Sequence, residues 1–311
     1  MKISANEDSN IPCLASHCLG PLHQLEEALL AFQSVTENWL REQWRKTPAP
    51  FYSSVDLRNA GFKLAPVDTN LFPAGFNNLN DRFISLAVQA AQETLERLLP
   101  GCLRILLIPE NHTRNSFYFE NLSTLQDILE KAGFEVRIGS LLEEMPHAKE
   151  IVLASGARIT LEPIVRVADQ IKVKDFLPCC ILLNNDLANG IPEILQGIEQ
   201  TILPNMNLGW HSRLKSNHFR HYAQVAGEFA QLLGLDPWLI TPLFSRCAEV
   251  DFMQREGEAC MMQESQQILH ATQKKYDQYH IKEKPYVVIK ADAGSYGMGV
   301  LSIHEPDEIQ Q

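Results

Sequence analysis

The sequence predicts an α/β protein in which helices cover a largely parallel sheet. Two short, continuous apolar runs, "CLRILLIP" (102–109) and "CCILLNN" (179–185), are typical of strands that are buried on both faces. A helical apolar pattern lies between the first run and the next predicted strand, "FEVRIGSL". This order of strand, helix and strand favours parallel pairing, because parallel neighbours need a crossover connection.

The segments around the first strand are predicted to be helical. Residues 21–46 carry apolar side chains at near-helical spacing, and "TPAP" ends that N-terminal helical segment. A second apolar stripe covers residues 83–98, directly before "CLRILLIP". The helix after that strand has its inner face over residues 122–132, and Gly133 suits the left-handed position that commonly follows a helix.

The remaining elements extend this layer and then begin a second unit. "EIVLAS" and "RITLEPIV" predict a hairpin around Gly156, and "CCILLNN" ends in the polar loop "NNDLANG". Together the strands outline a Rossmann-like layer. A second unit is expected from about residue 205, with a helix closed by Gly234 and a long polar helix over about residues 254–279. Two strands, "YVVIKA" and "GVLSIH", flank a glycine-rich loop.

Composition and charge exclude several classes of protein. The net charge of −11 over 311 residues argues against general nucleic-acid binding, which needs clustered Lys and Arg. No window reaches the roughly 18 apolar residues of a membrane span, and the first residues lack the pattern of a signal peptide. We therefore expect a cytoplasmic protein with small-molecule partners, and whether it forms a homo-oligomer is left open.

The seven cysteines form an odd set without C-x-x-C spacing. This pattern indicates neither a disulfide framework nor a zinc ribbon, so reduced core thiols are expected. The alternative is a metal site at "CLASHC", where Cys13, His17 and Cys18 lie together. No second pair of ligands follows this segment, which favours the thiols.

The glycine-rich loop has the order of a phosphate-binding motif. Lys290 ends the first flanking strand, and Gly294, Gly297 and Gly299 follow before the second strand. A Rossmann or Walker glycine motif instead opens a helix, and a kinase loop has different spacing. Glycines let backbone N–H groups converge on phosphate oxygens, while a strand lysine supplies a fixed charge. The alternative is a glycine-rich hairpin turn, which needs fewer loop residues.

A second lysine and the intervening loop residues complete the predicted nucleotide contacts. Lys215 in "WHSRLKSNHF" stands just before a helix, where the alternative is a solvated side chain at a helix start. The residues that we expect to bind the nucleotide are Lys215, Lys290, Gly294, Ser295, Tyr296, Gly297, Met298 and Gly299.

The segment 54–83 concentrates polar side chains that suit an amino-acid substrate. Amide groups and an arginine fork can bind a carboxylate, and Asp68 can bind an ammonium group. The alternative is local capping, with Asn77 or Asn80 as the N-cap of the next helix. The candidate substrate ligands in this segment are Arg58, Asp68, Asn70, Asn77 and Asn78, and Asp56 and Lys63 add to its polar character.

Two predicted strand ends add further candidates, because open α/β sheets bind ligands at the carboxyl ends of their strands. In "PENHTRN", Arg114 is the expected carboxylate clamp and a candidate catalytic residue with Lys290. Asn115 suits a helix cap, and His112 a surface position. In "LLNNDLANG", Asn185 and Asp186 are the expected contacts.

Taken together, "VDTNLFPAGFNNL", "IPENHTRN", "LLNNDLANG", "GWHSRLKSNHF" and "VIKADAGSYGMGV" resemble the proteobacterial glutamate-cysteine ligase family, which is related to ATP-grasp enzymes. The resemblance implies a Rossmann-like pre-ATP-grasp layer followed by the start of an ATP-grasp domain, similar to glutathione synthetase. The implied divisions are an N-terminal helical segment (1–50), a substrate domain (51–205) and a partial ATP-grasp domain (206–311) with a glycine-rich lid.

The resemblance also implies an activity. The family joins the glutamate γ-carboxylate to the amine of cysteine with ATP and Mg²⁺, in the first step of glutathione synthesis. Family members continue well beyond the glycine loop, where the metal ligands and the adenine pocket lie, so the metal ligands are unknown here and the chain is expected to be inactive alone or a fragment. The alternatives are another ATP-grasp carboxylate-amine ligase and a non-catalytic nucleotide-binding protein.

Overall fold

The computed structural model describes residues 20–111, 116–142, 145–248, 250–251, 254–293 and 300–310. Within these ranges the helices are α1 (Pro21–Ala31), α2 (Gln33–Lys46), α3 (Ile84–Leu98), α4 (Ser116–Lys131), α5 (Lys215–Leu233) and α6 (Glu258–Gln278). The strands are β1 (Ser54–Asn59), β2 (Leu64–Asn70), β3 (Arg104–Pro109), β4 (Glu135–Ser140), β5 (Lys149–Val152), β6 (Arg158–Val167), β7 (Gln170–Val173), β8 (Cys180–Asn184), β9 (Thr201–Leu203), β10 (Val287–Ile289) and β11 (Leu301–Ile303).

The chain folds into two units that are discontinuous in sequence. Of the described residues, the first unit holds 49–54 and 70–211, and the second holds 20–48, 55–69 and 212–310. The domains expected from the sequence are continuous ranges, and their functional assignment stays a prediction.

The first unit is built on a mixed sheet with the strand order β5-β6-β4-β3-β8-β9, and β7 pairs with β6. The central pairs β4–β3, β3–β8 and β8–β9 are parallel, as is β6–β4, whereas β5–β6 and β6–β7 are antiparallel. The predicted α/β class, the parallel centre and the hairpin between β5 and β6 are therefore confirmed.

Strand β3 is buried on both faces because side chains alternate along a strand. Ile105 and Leu107 pack with α3 and α4 in one apolar cluster. Leu106 and Ile108 point to the opposite face and pack with residues of β7 and the segments around it. All four side chains are fully inaccessible to solvent, so polar groups of this strand can reach a ligand only at its ends.

The helix ends follow the predicted signals in most places. Gly133 follows α4 with a φ of 97°, and Gly234 caps α5 with a φ of 67°, in the left-handed region that glycine adopts without strain. The predicted helix over residues 21–46 is instead two helices, because the backbone of Phe32 leaves the helical conformation, with φ −108° and ψ 27°.

The second unit has two smaller apolar clusters. One joins α6 to the antiparallel pair β10–β11 through Met261, Val287 and Ile303. In the other, Trp238 stacks on Phe62 and makes an edge-to-face contact with Tyr276. The two strands predicted on either side of the glycine loop are confirmed, and the loop residues 294–299 lie outside the described residues. None of the described helices combines the length and apolar character that a membrane span requires.

The expectation of reduced core thiols is wrong for four cysteines. Cys102 is bonded to Cys179, and Cys247 to Cys260. The first pair is invisible in the sequence because its members are 77 residues apart. Parallel pairing of β3 with β8 brings the two segments together. Cys180 is the buried free cysteine of the described chain, and Cys13 and Cys18 of the predicted metal alternative lie outside it.

The Cys102–Cys179 bond has a testable effect on stability. Closing a loop of this length restricts the unfolded chain, and the loop-entropy relation gives about 4 kcal/mol. We expect Cys102→Ser to lower the free energy of unfolding by about 2–4 kcal/mol under oxidising conditions, measured by urea denaturation. The control repeats both measurements in excess reductant, where the difference should largely disappear. Equal stability of the two proteins without reductant would contradict the bond.

Candidate active site

In the second unit, three cationic side chains contact consecutive residues of β2. Lys290 Nζ donates a hydrogen bond to the carbonyl oxygen of Val67 at 3.1 Å. Lys215 Nζ lies 3.8 Å from Asp68 Oδ1. Arg213 Nη1 donates to the carbonyl oxygen of Thr69 at 2.9 Å. Cations that are remote in sequence thus meet on one short stretch of strand.

The positions of the two lysines follow from secondary structure. Lys215 is the first residue of α5, and Lys290 directly follows β10. Asp292 joins these elements, since its carbonyl oxygen accepts a hydrogen bond from Lys215 N at 2.8 Å. Its carboxylate accepts from Ser216 N at 2.7 Å and from Ser216 Oγ at 2.8 Å. Arg246 Nε lies 2.9 Å from the same carboxylate.

Arg213, Lys215 and Lys290 form a cationic cluster, and its electrostatics favour the binding of an anion. Burial lowers the pKa of Lys215, whose side chain is 13% exposed, and the charges of Lys290 and Arg213 lower it further against the opposing effect of Asp68. Burial likewise lowers the pKa of Arg213. Positive charges that repel one another in a partly desolvated site are stabilised when an anion binds between them.

His218 lies one helical turn after Lys215 on α5. Its Nε2 atom is buried and has no hydrogen-bond partner among the described residues. Burial and the charge of Arg213 lower the pKa of the imidazole, so the ring is neutral near pH 7.

The first unit carries a second polar cluster at the carboxyl ends of β3 and β8. Glu110 follows β3, and its Oε1 accepts a hydrogen bond from Asp186 N at 2.6 Å. Tyr118 Oη accepts from Glu110 N at 2.9 Å and donates to the carbonyl oxygen of Asn184 at 2.7 Å. Burial raises the pKa of Glu110 to about 7.

Two buried asparagines hold the segment beside this cluster. Asn121 Nδ2 donates to Asn184 Oδ1 at 3.1 Å, and Asn184 Nδ2 donates to the carbonyl oxygen of Pro73 at 2.7 Å. Asn121 Oδ1 accepts from Phe76 N at 3.0 Å. These bonds position a shallow pocket of about 250 Å³, lined by Ala74, Gly75, Asn77, Asn78, Phe117, Tyr118 and Asn121.

Comparison with known proteins assigns the chain to a family. The model of the family described as glutamate-cysteine ligase matches residues 26–311. The chain belongs to the glutamate-cysteine ligase family. It is also similar to a crystal structure of "Putative gamma-glutamylcysteine synthetase" from Methylobacillus flagellatus KT, with 49% identity and a TM-score of 0.89 over 94% of this chain and 69% of that chain. A search of curated proteins gave no significant match.

The family membership confirms the enzyme class that the motifs predict, a glutamate-cysteine ligase of glutathione synthesis. The individual site residues of this ligase stay predictions. Lys215 and Lys290 lie together in the cationic cluster, and Asn77 and Asn78 line the pocket of the first unit. Arg58 is exposed on β1.

Other predicted site residues of the ligase have local partners. Asn70 Oδ1 accepts from Phe72 N at 2.9 Å. Asn185 is buried, with Oδ1 accepting from Leu187 N and Nδ2 donating to the carbonyl oxygen of Pro109. Asn80 caps the short 3-10 turn before α3, as the capping alternative predicts. The candidates Arg114, Gly294, Ser295, Tyr296, Gly297, Met298 and Gly299 lie outside the described residues, as do His112 and Asn115.

Sequence reasoning missed several polar residues that hold both clusters of the ligase. Glu110, Arg213 and Asp292 stand inside motifs quoted above, but their side chains received no role. Asn121 had a usable signal, because it adjoins the apolar face of α4 and a buried amide there requires partners. Tyr118 and Asn184 gave no signal, since their contacts depend on how the strand ends meet.

The buried carboxyl group of Glu110 makes stability depend on pH. The folded-state pKa of about 7 lies above the ordinary value of 4.5, so the folded protein binds more protons between these values. The contribution of Glu110 to the free energy of unfolding is therefore largest below pH 4.5 and is lost as the pH rises through 7. Glu110→Gln keeps an acceptor for Asp186 N and removes the titration.

We expect the free energy of unfolding of the original protein to fall by about 2 kcal/mol from pH 5 to pH 8 because of Glu110. Glu110→Gln should not show this loss, and urea denaturation at both pH values measures the difference. Glu93→Gln on the exposed face of α3 is the control, and its effect should be the same at both pH values. A pH-independent effect of Glu110→Gln would show that Glu110 is charged in the folded protein at pH 5.

Proposed function

We propose that this ligase uses ATP to join the γ-carboxylate of glutamate to the amine of cysteine, with the cationic cluster on β2 holding the phosphates of ATP. The main support is that three cationic side chains contact consecutive residues of β2. Lys290 contacts Val67, Lys215 contacts Asp68, and Arg213 contacts Thr69. A polyphosphate needs several fixed cations, and helix and strand termini supply them here without large ordering costs.

The two lysines have different proposed roles because one begins a helix and the other follows a strand. Lys290 follows a strand and is directed to a strand carbonyl, so it supplies a fixed charge for the α- or β-phosphate. Lys215 begins α5, where the partial positive charge of the helix N-terminus adds to its own. The backbone N–H groups of residues 294–299 are proposed to bind the same phosphates, as the resemblance of the motifs to ATP-grasp enzymes implies.

The reaction needs ATP because a carboxylate cannot expel oxide. The γ-carboxylate oxygen attacks the γ-phosphorus of ATP, the bond to the ADP oxygen breaks, and a glutamyl phosphate forms. The cysteine nitrogen then attacks the acyl carbon, phosphate leaves with the bonding electrons, and the nitrogen loses its proton. The cations of the cluster neutralise charge that shifts to the ADP oxygens, and positioning supplies much of the rest.

The candidate glutamate ligands divide between the two units, with Arg58 and Asp68 in the second unit and Asn70, Asn77, Asn78 and Asn185 in the first. Arg114 is a further candidate outside the described residues. The support differs among them. Asn77 and Asn78 line a pocket with free space, whereas Asn185 already uses both ends of its amide within the protein. Asp68 lies beside Lys215, so a substrate ammonium there would compete with the lysine for its carboxylate.

Mg²⁺ would neutralise phosphate charge in this reaction. Among the described residues, no group of three or more His, Cys, Asp or Glu side chains could hold a metal ion. Mg²⁺ is commonly held by one or two carboxylates together with substrate phosphates, so no described residue is assigned to the metal and no catalytic step is given to it here.

Removing either lysine tests the phosphate role. We expect Lys215→Met and Lys290→Met in the full-length enzyme to weaken ATP binding and lower kcat/KM for ATP by about 10²-fold or more, because each removes a preorganised charge from the phosphates. Lys284→Met is the matched control, since this lysine is exposed just before β10. ATP affinities of Lys215→Met and Lys290→Met equal to that of the control, measured by calorimetry, would refute the role.

The second substrate is tested with a panel of amines. With glutamate and ATP present, we expect ADP release to require cysteine and to fall by at least about tenfold with alanine or serine, because a site built for one side chain binds another less well. ADP release at equal rates with all amines would instead support a carboxylate-amine ligase with another acceptor.

A further inference from the structure

Asp292 connects the two elements that carry the lysines of the cationic cluster. Its carboxylate accepts two hydrogen bonds from Ser216 and pairs with Arg246, and its carbonyl oxygen accepts from Lys215 N. Asp292 lies two residues after Lys290, and Ser216 directly follows Lys215. One side chain therefore sets the distance between two backbones, each of which bears a lysine.

The start of α5 depends on this contact. The residue before the helix is Leu214, which offers no side-chain acceptor for the first N–H groups of the helix. These groups have no partner within the helix, and a cap normally supplies one from the preceding residue. Here the acceptor comes from a residue 76 positions away. The carboxylate also opposes the positive end of the helix dipole, which strengthens the contact.

We propose that Asp292 is a positioning residue for ATP binding: by capping α5 from the segment after β10, it holds Lys215 and Lys290 at the spacing that the phosphates require. This inference rests on the proposed phosphate role of the two lysines. Asp292 acts through the helix and the strand, and it needs no contact with the nucleotide.

Arg246 gives the contact its dependence on charge. Oδ1 of the carboxylate accepts from Ser216 N, whereas Oδ2 accepts from Ser216 Oγ and also pairs with Arg246 Nε, because each carboxylate oxygen has two lone pairs. In Asp292→Asn, an NH₂ group in place of Oδ2 cannot accept from Ser216 Oγ or Arg246 Nε, it faces the arginine as a second donor, and the negative charge is lost. The substitution preserves side-chain size, so a change in ATP binding reflects the lost contacts rather than lost volume.

The second unit offers a matched control in Asp236. This carboxylate also accepts from a backbone N–H, that of Trp238, from a hydroxyl group, that of Tyr279, and pairs with a cation, Lys275. Asp236→Asn therefore removes the same set of interactions from a site that holds neither lysine of the cluster. Both substitutions should lower the melting temperature of the ligand-free enzyme by similar amounts.

The test compares ATP affinity and steady-state constants of the full-length enzyme. We expect Asp292→Asn to raise the Kd and the KM for ATP by about tenfold, as the loss of one charge-assisted contact allows, with the KM for glutamate within about twofold. Asp236→Asn should leave the Kd for ATP within about twofold. Ser216→Ala should raise the Kd for ATP less than Asp292→Asn does. Ser216→Thr keeps the hydroxyl group, so its Kd for ATP should match that of the original enzyme.

The outcomes separate this inference from the proposed function. If Lys215→Met and Lys290→Met lose ATP binding while Asp292→Asn and Ser216→Ala retain it, Asp292 has no positioning role and the phosphate role stands. If Asp236→Asn weakens ATP binding as much as Asp292→Asn, the effect is general destabilisation and the inference is wrong. If the lysine variants bind ATP normally, both proposals are wrong. Should Asp292→Asn fail to fold, the pair Ser216→Ala and Ser216→Thr gives the same decision.

Discussion

The burial of β3 on both faces is the constraint on which the first unit depends. A strand between two parallel neighbours has its backbone groups paired on both edges, and its side chains from Ile105 to Ile108 are inaccessible. Polar chemistry is then confined to the point where the strand leaves the sheet. Glu110 lies at that point, and Asp186 lies at the same end of the neighbouring β8. The polar cluster thus lies where the buried apolar run from Ile105 to Pro109 ends.

Two buried amides, Asn121 and Asn184, lie beside this polar cluster and need hydrogen-bond partners within the protein. Asn121 and Asn184 are 1% and 2% exposed, and an amide without partners at such positions would destabilise the fold by about 1–3 kcal/mol. Asn121 Oδ1 instead accepts from Phe76 N, and Asn121 Nδ2 donates to Asn184 Oδ1. Asn184 Nδ2 donates to the carbonyl oxygen of Pro73, and Asn184 Oδ1 also accepts from Tyr118 Oη. The same bonds fix residues 73–78, so the polar network positions the pocket segment as well as stabilising the core.

Sequence patterns predicted the elements of this protein better than its contacts. The parallel centre, the end of α5 at Gly234 and the strands around the glycine loop follow from local periodicity and glycine placement. The Cys102–Cys179 bond and the Asp292–Ser216 cap do not, because each joins residues more than 70 positions apart. Local patterns carry no information on such pairs. The two units are also discontinuous, since β2 belongs largely to the second unit although it precedes β3 in the chain.

The second unit meets a different constraint, because its apolar clusters are small and its polar cluster brings together cations. Burial lowers the pKa of both Lys215 and Arg213, and the charges of Lys290 and Arg213 lower that of Lys215 further, so the charged form of Lys215 is disfavoured where no anion pairs with it. Such a cluster persists only where other contacts hold its backbone. The carboxylates of Asp68 and Asp292 divide this work: Asp68 opposes the charge of Lys215 directly, whereas Asp292 holds the helix start and pairs with Arg246. A carboxylate that paired with more of these cations would stabilise the cluster further and lower its affinity for the phosphates that we propose it binds.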